Sequence, residues 1–117
     1  MRYAILCGND QELLKSRASV LRTVPLETAV THGLSEFMCF VAVKPVDLVV
    51  LCHSLSLGEQ VQAFSWVRNH YDSARVIVLT SGLEQQPPSL GVCLNSSEGP
   101  QALVQLTLTL LERAPAN

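Results

Sequence analysis

Asp47-Leu48-Val49-Val50-Leu51-Cys52 is the stretch that decides the fold, because after its aspartate it runs apolar and β-branched with no polar alternation. A strand with one face in water alternates polar and apolar residues, whereas an unbroken run belongs to a strand covered on both faces. This stretch is therefore predicted to be the central strand of a parallel sheet. Arg75–Thr80 (RVIVLT) repeats the pattern and Tyr3–Cys7 (YAILC) is a third such run, while Leu26–Val30 and Gly91–Leu94 are shorter strands.

Between these runs the apolar spacing becomes helical. Gly8-Asn9-Asp10 breaks the first strand and offers an N-cap, and Leu14, Ala18 and Leu21 follow on one face. Lys15, Arg17 and Arg22 are left for solvent, and Pro25 stops the helix. A second helix from Gly33 to about Val43 places Phe37, Phe40 and Val41 together and ends at Pro45. After the loop Ser54–Gly58, Val61, Phe64 and Val67 mark a third helix whose last turn carries His70 and Tyr71. Pro87 and Pro88 exclude a regular long helix from Ser81–Gly91, since each removes a backbone donor and crowds the preceding turn. A final helix spans roughly Gly99–Arg113.

Strands alternating with helices predict an α/β fold with right-handed crossovers: a doubly wound five-stranded parallel sheet of flavodoxin-like order 2-1-3-4-5, with a shortened or irregular fourth helix. Residues 1–113 are expected to form one domain and 114–117 a frayed tail.

Composition narrows the function classes. With 48% hydrophobic and 15% charged residues the chain is not of the disordered class. A net charge of −2 with both signs scattered offers no basic stripe for nucleic acid. No apolar run approaches a membrane span, and Met1–Asp10 lacks the layout of a signal peptide. Four dispersed cysteines without a CxxC pair are expected to stay reduced, which places the protein in the cytoplasm.

Element order and landmarks resemble the response-regulator receiver domain over nearly the whole chain. Residues 47–52 followed by His53-Ser54-Leu55-Ser56 resemble the receiver's third strand and loop. Residues 75–81 resemble its fourth strand with the switch hydroxyl, and residues 91–100 its fifth strand, lysine and final helix start. The resemblance implies a site at the carboxyl ends of the strands. There, two acidic residues and an aspartate would hold Mg²⁺, the aspartate would accept the phosphoryl group, and a Ser/Thr and a lysine would bind it.

This sequence departs from that pattern at nearly every position. Gly8 and Asn9 stand where the acidic pair belongs, Cys52 where the nucleophile belongs, and Ser96 where the lysine belongs; only Thr80 matches. Shifting the first strand by one residue brings in Asp10 and recovers one carboxylate. Mg²⁺ binding and aspartyl phosphorylation are both expected to fail, leaving a pseudo-receiver with no enzymatic activity. Thr80 and Ser96 are sixteen positions apart, several fewer than the family usually spends there. Cys93 takes the place of the aromatic switch partner, so that relay is expected to be broken as well.

Two functional readings follow. The first is a phosphorylation-independent signalling module that acts through a protein partner or a homodimer. Its interaction face is drawn from Cys93, Leu103, Val104, Leu108 and Leu111, because the last helix carries more apolar residues than one sheet-facing stripe needs. Leu103, Leu106 and Leu110 are expected to supply that stripe. The second is a thiol-based redox or metal sensor around Cys52, which would need a depressed thiol pKa. His53 and Cys7 lie near in sequence or sheet order, but no spacing matches a zinc motif. No GxSxG elbow or GxGxxG loop occurs, and no metal, cofactor, nucleic-acid or membrane partner is expected. Asp47 reads as a turn or cap residue and Trp66 as helix packing or an interface anchor. With no linker or effector sequence after Asn117, this chain by itself is expected to lack DNA-binding or catalytic output.

Overall fold

The computed structural model describes residues 3–24, 26–71, 73–80, 91–95 and 99–112. Five strands, β1 (Tyr3–Gly8), β2 (Glu27–His32), β3 (Leu48–Leu51), β4 (Arg75–Thr80) and β5 (Val92–Asn95), form one sheet of order β2-β1-β3-β4-β5. All pairings are parallel, and the register sets Ile5 against Ala29 and Val49, Val50 against Ile77, and Leu79 against Leu94. The described helices are α1 (Gln11–Leu21), α2 (Leu34–Val43), α3 (Leu57–His70) and α4 (Pro100–Glu112). This is the doubly wound α/β topology that the sequence pattern predicts. The predicted irregular fourth helix within 81–90, the Ser96 position and the 114–117 tail lie outside the described residues.

Period-2 alternation sorts the core into two layers. Ile5, Cys7, Val49, Leu51, Val76 and Val78 face α2 and α3, where Phe37, Val41, Ala63 and Val67 meet them. Ala4, Leu6, Leu48, Val50, Ile77 and Leu79 face α1 and α4, against Leu14, Leu21, Leu103 and Leu111. Each fully buried Leu, Ile, Val or Phe contributes about 1.5–3 kcal/mol relative to exposure, so the central strands dominate the stability. At the amino ends Asp47 ties three strands together. Its N–H donates to Tyr3 O (2.8 Å), its Oδ2 accepts from Tyr3 N (2.8 Å), and its carbonyl accepts from Arg75 N (2.9 Å).

The helix faces depart from expectation in three places. On α3 the buried residues are Gln60, Ala63 and Val67, while Val61 is 41% exposed and Phe64 is half-buried. The Ser56–Glu59 capping box starts the helix at Leu57 and thereby sets this phase. On α4 the sheet-facing stripe is Leu103, Thr107 and Leu111, at spacings of four, with Leu106 and Leu110 half-buried beside it. Arg17 does not point wholly to solvent: it is half-buried, and its Nη1 is enclosed. Trp66 packs α3 onto α2, its Nε1 donating to Met38 O at 3.0 Å.

β5 joins the sheet at a position only glycine can occupy. Gly91 has φ +108°, and a Cβ there would lie 2.6 Å from the Val76 carbonyl oxygen. No helix among the described residues is long and apolar enough to cross a membrane.

Candidate functional site

The carboxyl ends of β1, β3 and β4 bring Gly8, Asn9, Cys52 and Thr80 to one end of the sheet. Cys52 continues the β3 pairing, its N–H donating to Cys7 O at 2.9 Å, and its side chain is fully buried. Thr80 is buried at the end of β4, in register with Asn95. Ser96 lies outside the described residues.

Gly8 and Asn9 sit under the loop that follows β3. A Cβ built on Gly8 would lie 2.8 Å from Ser54 Oγ, 3.1 Å from Cys52 Cβ and 3.3 Å from Leu14 Cδ2, so a side chain there would have to displace the Ser54 hydroxyl and press on Cys52 and Leu14. Asn9 closes the same gap with hydrogen bonds. Its N–H donates to Ser54 Oγ (2.9 Å), and its Nδ2 donates to Ser54 O (3.2 Å) and Glu59 Oε1 (3.2 Å). Glu59 Oε1 also accepts from Ser56 N at 2.9 Å. That Ser56 N–H is the main reason the Glu59 carboxyl titrates below its ordinary value, with Asn9 and the Ser56 hydroxyl adding to it. From the other side His32 Nε2 donates to Asn9 O (3.0 Å), and the His32 N–H donates to Glu36 Oε1 (3.1 Å).

Asp10, the one carboxylate a shifted alignment could bring in, is committed elsewhere. Its Oδ1 accepts from Glu12 N (3.0 Å) and Leu13 N (3.2 Å) as the N-cap of α1. Among the described residues, no three His, Cys, Asp or Glu side chains converge in a way that could hold a metal ion.

The thiols at this end are poorly suited to nucleophilic chemistry. Burial pushes Cys52 up to about 11, an effect that the nearby Arg17 guanidinium offsets only in part. Burial likewise pushes Cys7 up to about 12, against the pull of Thr31. The two cysteines also belong to opposite layers, Cys7 toward α2 and α3 and Cys52 toward α1 and α4. All four cysteines are free, and Cys39 is the exposed one.

The five residues expected to make one interaction face do not share a face. Cys93 packs on the α2/α3 side, whereas Leu103, Val104, Leu108 and Leu111 belong to the α1/α4 layer. Leu103 and Leu111 are buried against the sheet, and Val104 and Leu108 are half-buried beside them. The period of α4 explains this: residues 103, 107 and 111 point one way, so Leu111 could not belong to a second, outward strip.

Two participants, Gln60 and Arg17, escaped the sequence reading, and a third, Ser54, was placed beside the pocket without its partner. Gln60 is buried beneath the site and its Nε2 donates to the carbonyls of Cys52 (3.2 Å) and Leu79 (3.5 Å), joining β3 to β4. Its signal was the spacing 60, 63, 67 counted from the capping box. Ser54 is legible as a pocket serine from its place just after the third strand, but its bond to Asn9 is not, because the two lie 45 positions apart. Arg17 could have been found from its place between Leu14 and Leu21, three and four residues off on the same face.

No protein-family model matches the chain, and no curated protein sequence matches it. Solved structures do. The receiver domain of a Francisella response regulator superposes with a TM-score of 0.81 at 13% identity, covering 98% of this chain and 100% of its own. A two-component response regulator from Clostridium difficile gives 0.82 at 14%, covering 99% and 100%. The response regulator TrrA of Thermotoga maritima, solved in complex with Mg²⁺–BeF, gives 0.81 at 14%, covering 94% and 99%. At such identities the likeness is one of fold, and that fold is the receiver fold.

Proposed function

We propose that this chain is a receiver-fold signalling module that works without aspartyl phosphorylation, through contact with a protein partner or a second copy of itself. One observation carries the reading. The place where a phosphorylatable receiver gathers Mg²⁺ is filled by Gly8, Asn9 and Ser54 in direct contact, with a thiol at the acceptor position. A divalent cation needs several oxygen ligands, among them carboxylates. Here Asp10 caps a helix, and Glu59 is held by Ser56 and Asn9. A protonated thiol at Cys52 is a poor acceptor for a phosphoryl group and does not offer the hard oxygen that Mg²⁺ prefers. The four free cysteines suit a reducing compartment, in keeping with a cytoplasmic role.

The test is a titration of the full chain with Mg²⁺ and beryllofluoride, followed by amide NMR, together with acetyl phosphate treatment followed by intact-mass analysis. The expected result is no saturable shift at Gly8, Asn9 or Cys52 and no phosphoryl adduct. A stable adduct, or saturable Mg²⁺ binding at these residues, overturns the reading. Size analysis over a wide concentration range, with affinity capture from the native host, tests the contact half of the proposal. A strict monomer that captures nothing removes it.

A further inference from the structure

β2 forms one edge of the sheet, so half of its backbone groups face away from β1. The Gly33 N–H donates inward to Gly8 O at 2.9 Å, and the preceding His32 N–H points outward to Glu36 Oε1 at 3.1 Å. Amide direction alternates along a strand, so Thr28 and Val30 share the outward direction of His32. Both ends of this edge are guarded, by Glu36 on the His32 amide and by the charge of Glu27 at the start of the strand. Between them, no strand pairs with the outer side of Thr28 or Val30 among the described residues. A groove of about 420 Å³ runs beside this stretch, with Lys15, Ser19 and Arg22 on its helix wall and Val30 on its strand wall. Spacings of four and three put Lys15, Ser19 and Arg22 on one exposed shoulder of α1, next to the buried Leu14, Ala18 and Leu21. Val30 is 36% exposed and faces the same side of the sheet, since it is in register with Leu6 of the α1/α4 layer.

The charge of the groove selects its occupant. Although the chain carries a net charge of −2, two cations and no carboxylate line this groove. Glu27 lies on the opposite face of the sheet, in register with Tyr3 of the α2/α3 layer. We propose that this edge docks an extended acidic segment of a protein partner, which adds a strand beside β2. The segment exchanges backbone hydrogen bonds with Thr28 and Val30, and its acidic side chains on the α1 side meet Lys15 and Arg22. A second copy of this chain is the poorer fit. Two-fold pairing of β2 with β2 keeps both α1 helices on one side of the joined sheet and turns Lys15 and Arg22 toward their own copies, where like charges repel. The inference rests on the protein-contact half of the function proposed above and is independent of the phosphorylation half.

The probe is a short capped peptide alternating threonine and glutamate, titrated into the full chain and followed by amide NMR and hydrogen exchange. It should bind saturably, shift residues 15–22 and 27–32, and slow exchange at the Thr28 and Val30 amides. Glutamine in place of glutamate should weaken binding, and the difference should shrink in high salt. Lys15→Gln and Arg22→Gln, both at exposed positions, should each weaken the glutamate peptide by about two- to fivefold and leave the glutamine peptide unchanged. A glutamate peptide N-methylated at alternate amides should not bind, because it keeps the charge and loses the ladder. The proposal is overturned by an absence of saturable binding, by equal affinity of the glutamate and glutamine peptides, or by anionic vesicles that engage Lys15 and Arg22 as tightly as the peptide. Self-association that protects Thr28 and Val30 without peptide also overturns it. A captured partner that protects another surface removes this inference and leaves the contact function standing, whereas a strict monomer that captures nothing removes both.

Discussion

Asn9 and Ser54 are joined twice across the top of the sheet, backbone amide to hydroxyl at 2.9 Å and side-chain amide to carbonyl at 3.2 Å. The pair clamps the loop after β1 to the loop after β3, and Gly8 lies directly beneath it. The clamp depends on Gly8 having no side chain, so the two positions should be energetically coupled. Gly8→Ala is expected to cost about 1–3 kcal/mol through overpacking, and Ser54→Ala about 0.5–1.5 kcal/mol through the lost bond. In the double variant the overpacking is largely relieved, so the combined cost falls below the sum by about 0.5 kcal/mol or more. Urea unfolding of the four proteins measures this, and strict additivity would contradict the clamp.

Gln60 offers a separate test of how β3 and β4 are held at this end. Gln60→Leu leaves the Cys52 and Leu79 carbonyls without their side-chain donor, at about 1–3 kcal/mol. Gln60→Glu should cost more at neutral pH, because a buried carboxylate faces two carbonyls, and it should recover part of the loss on acidification as the carboxyl becomes a donor. Stability curves at neutral and mildly acidic pH distinguish the two variants. Equal behaviour would mean that the buried side chain fills space only.

The thiols predict a stability limit on the alkaline side. Folded pKa values of about 11 for Cys52 and about 12 for Cys7 lie above the ordinary value of 9.0. A folded pKa raised in this way gives stability that is whole below pH 9 and is lost as pH climbs toward 11 and 12. Cys52→Ala should therefore flatten part of the fall in unfolding free energy across that range. In the native protein at pH 8, an alkylating reagent should modify Cys39 first and leave Cys7 and Cys52 intact until unfolding. Early loss of Cys52 would reopen the redox reading.

On the acid side the Ser56–Glu59 box is the reporter. Ser56→Ala should cost about 1 kcal/mol as a lost N-cap. Glu59 titrates below its ordinary value of 4.5 when folded, so its contribution is present above that value and is lost as pH falls through the lower folded pKa. The stability difference between wild type and Glu59→Gln should thus be visible at pH 7 and vanish in strong acid. Paired melts at the two pH values check it.

The order of the sheet was legible because residues 48–51 and 75–80 have no polar alternation, and only a doubly covered strand tolerates that. The helix faces were legible only where large apolar residues fell in phase, as at Leu14, Ala18 and Leu21. On α3 hydrophobicity favoured Val61 over Gln60, but the phase was set by the capping box, and the buried amide was stabilised by two carbonyls invisible in one dimension. Of the site, the missing carboxylates at residues 8 and 52 could be read directly. The way the vacated space is filled could not, since Asn9 and Ser54 meet only after β1 and β3 pair. Arg17 was misplaced for a simpler reason: a charged residue was assigned to water although its neighbours on the same face are buried.

Two glycines near β5 would leave different records in a mutational library selected for folded protein. Gly91 faces both a disfavoured φ of +108° and the Val76 carbonyl 2.6 Å from any added carbon, whereas Gly99 has φ +91° and open space around it. Position 99 should admit asparagine or aspartate at a modest fitness cost. Position 91 should return glycine alone, which marks the far rim of the sheet as a place with little freedom to evolve.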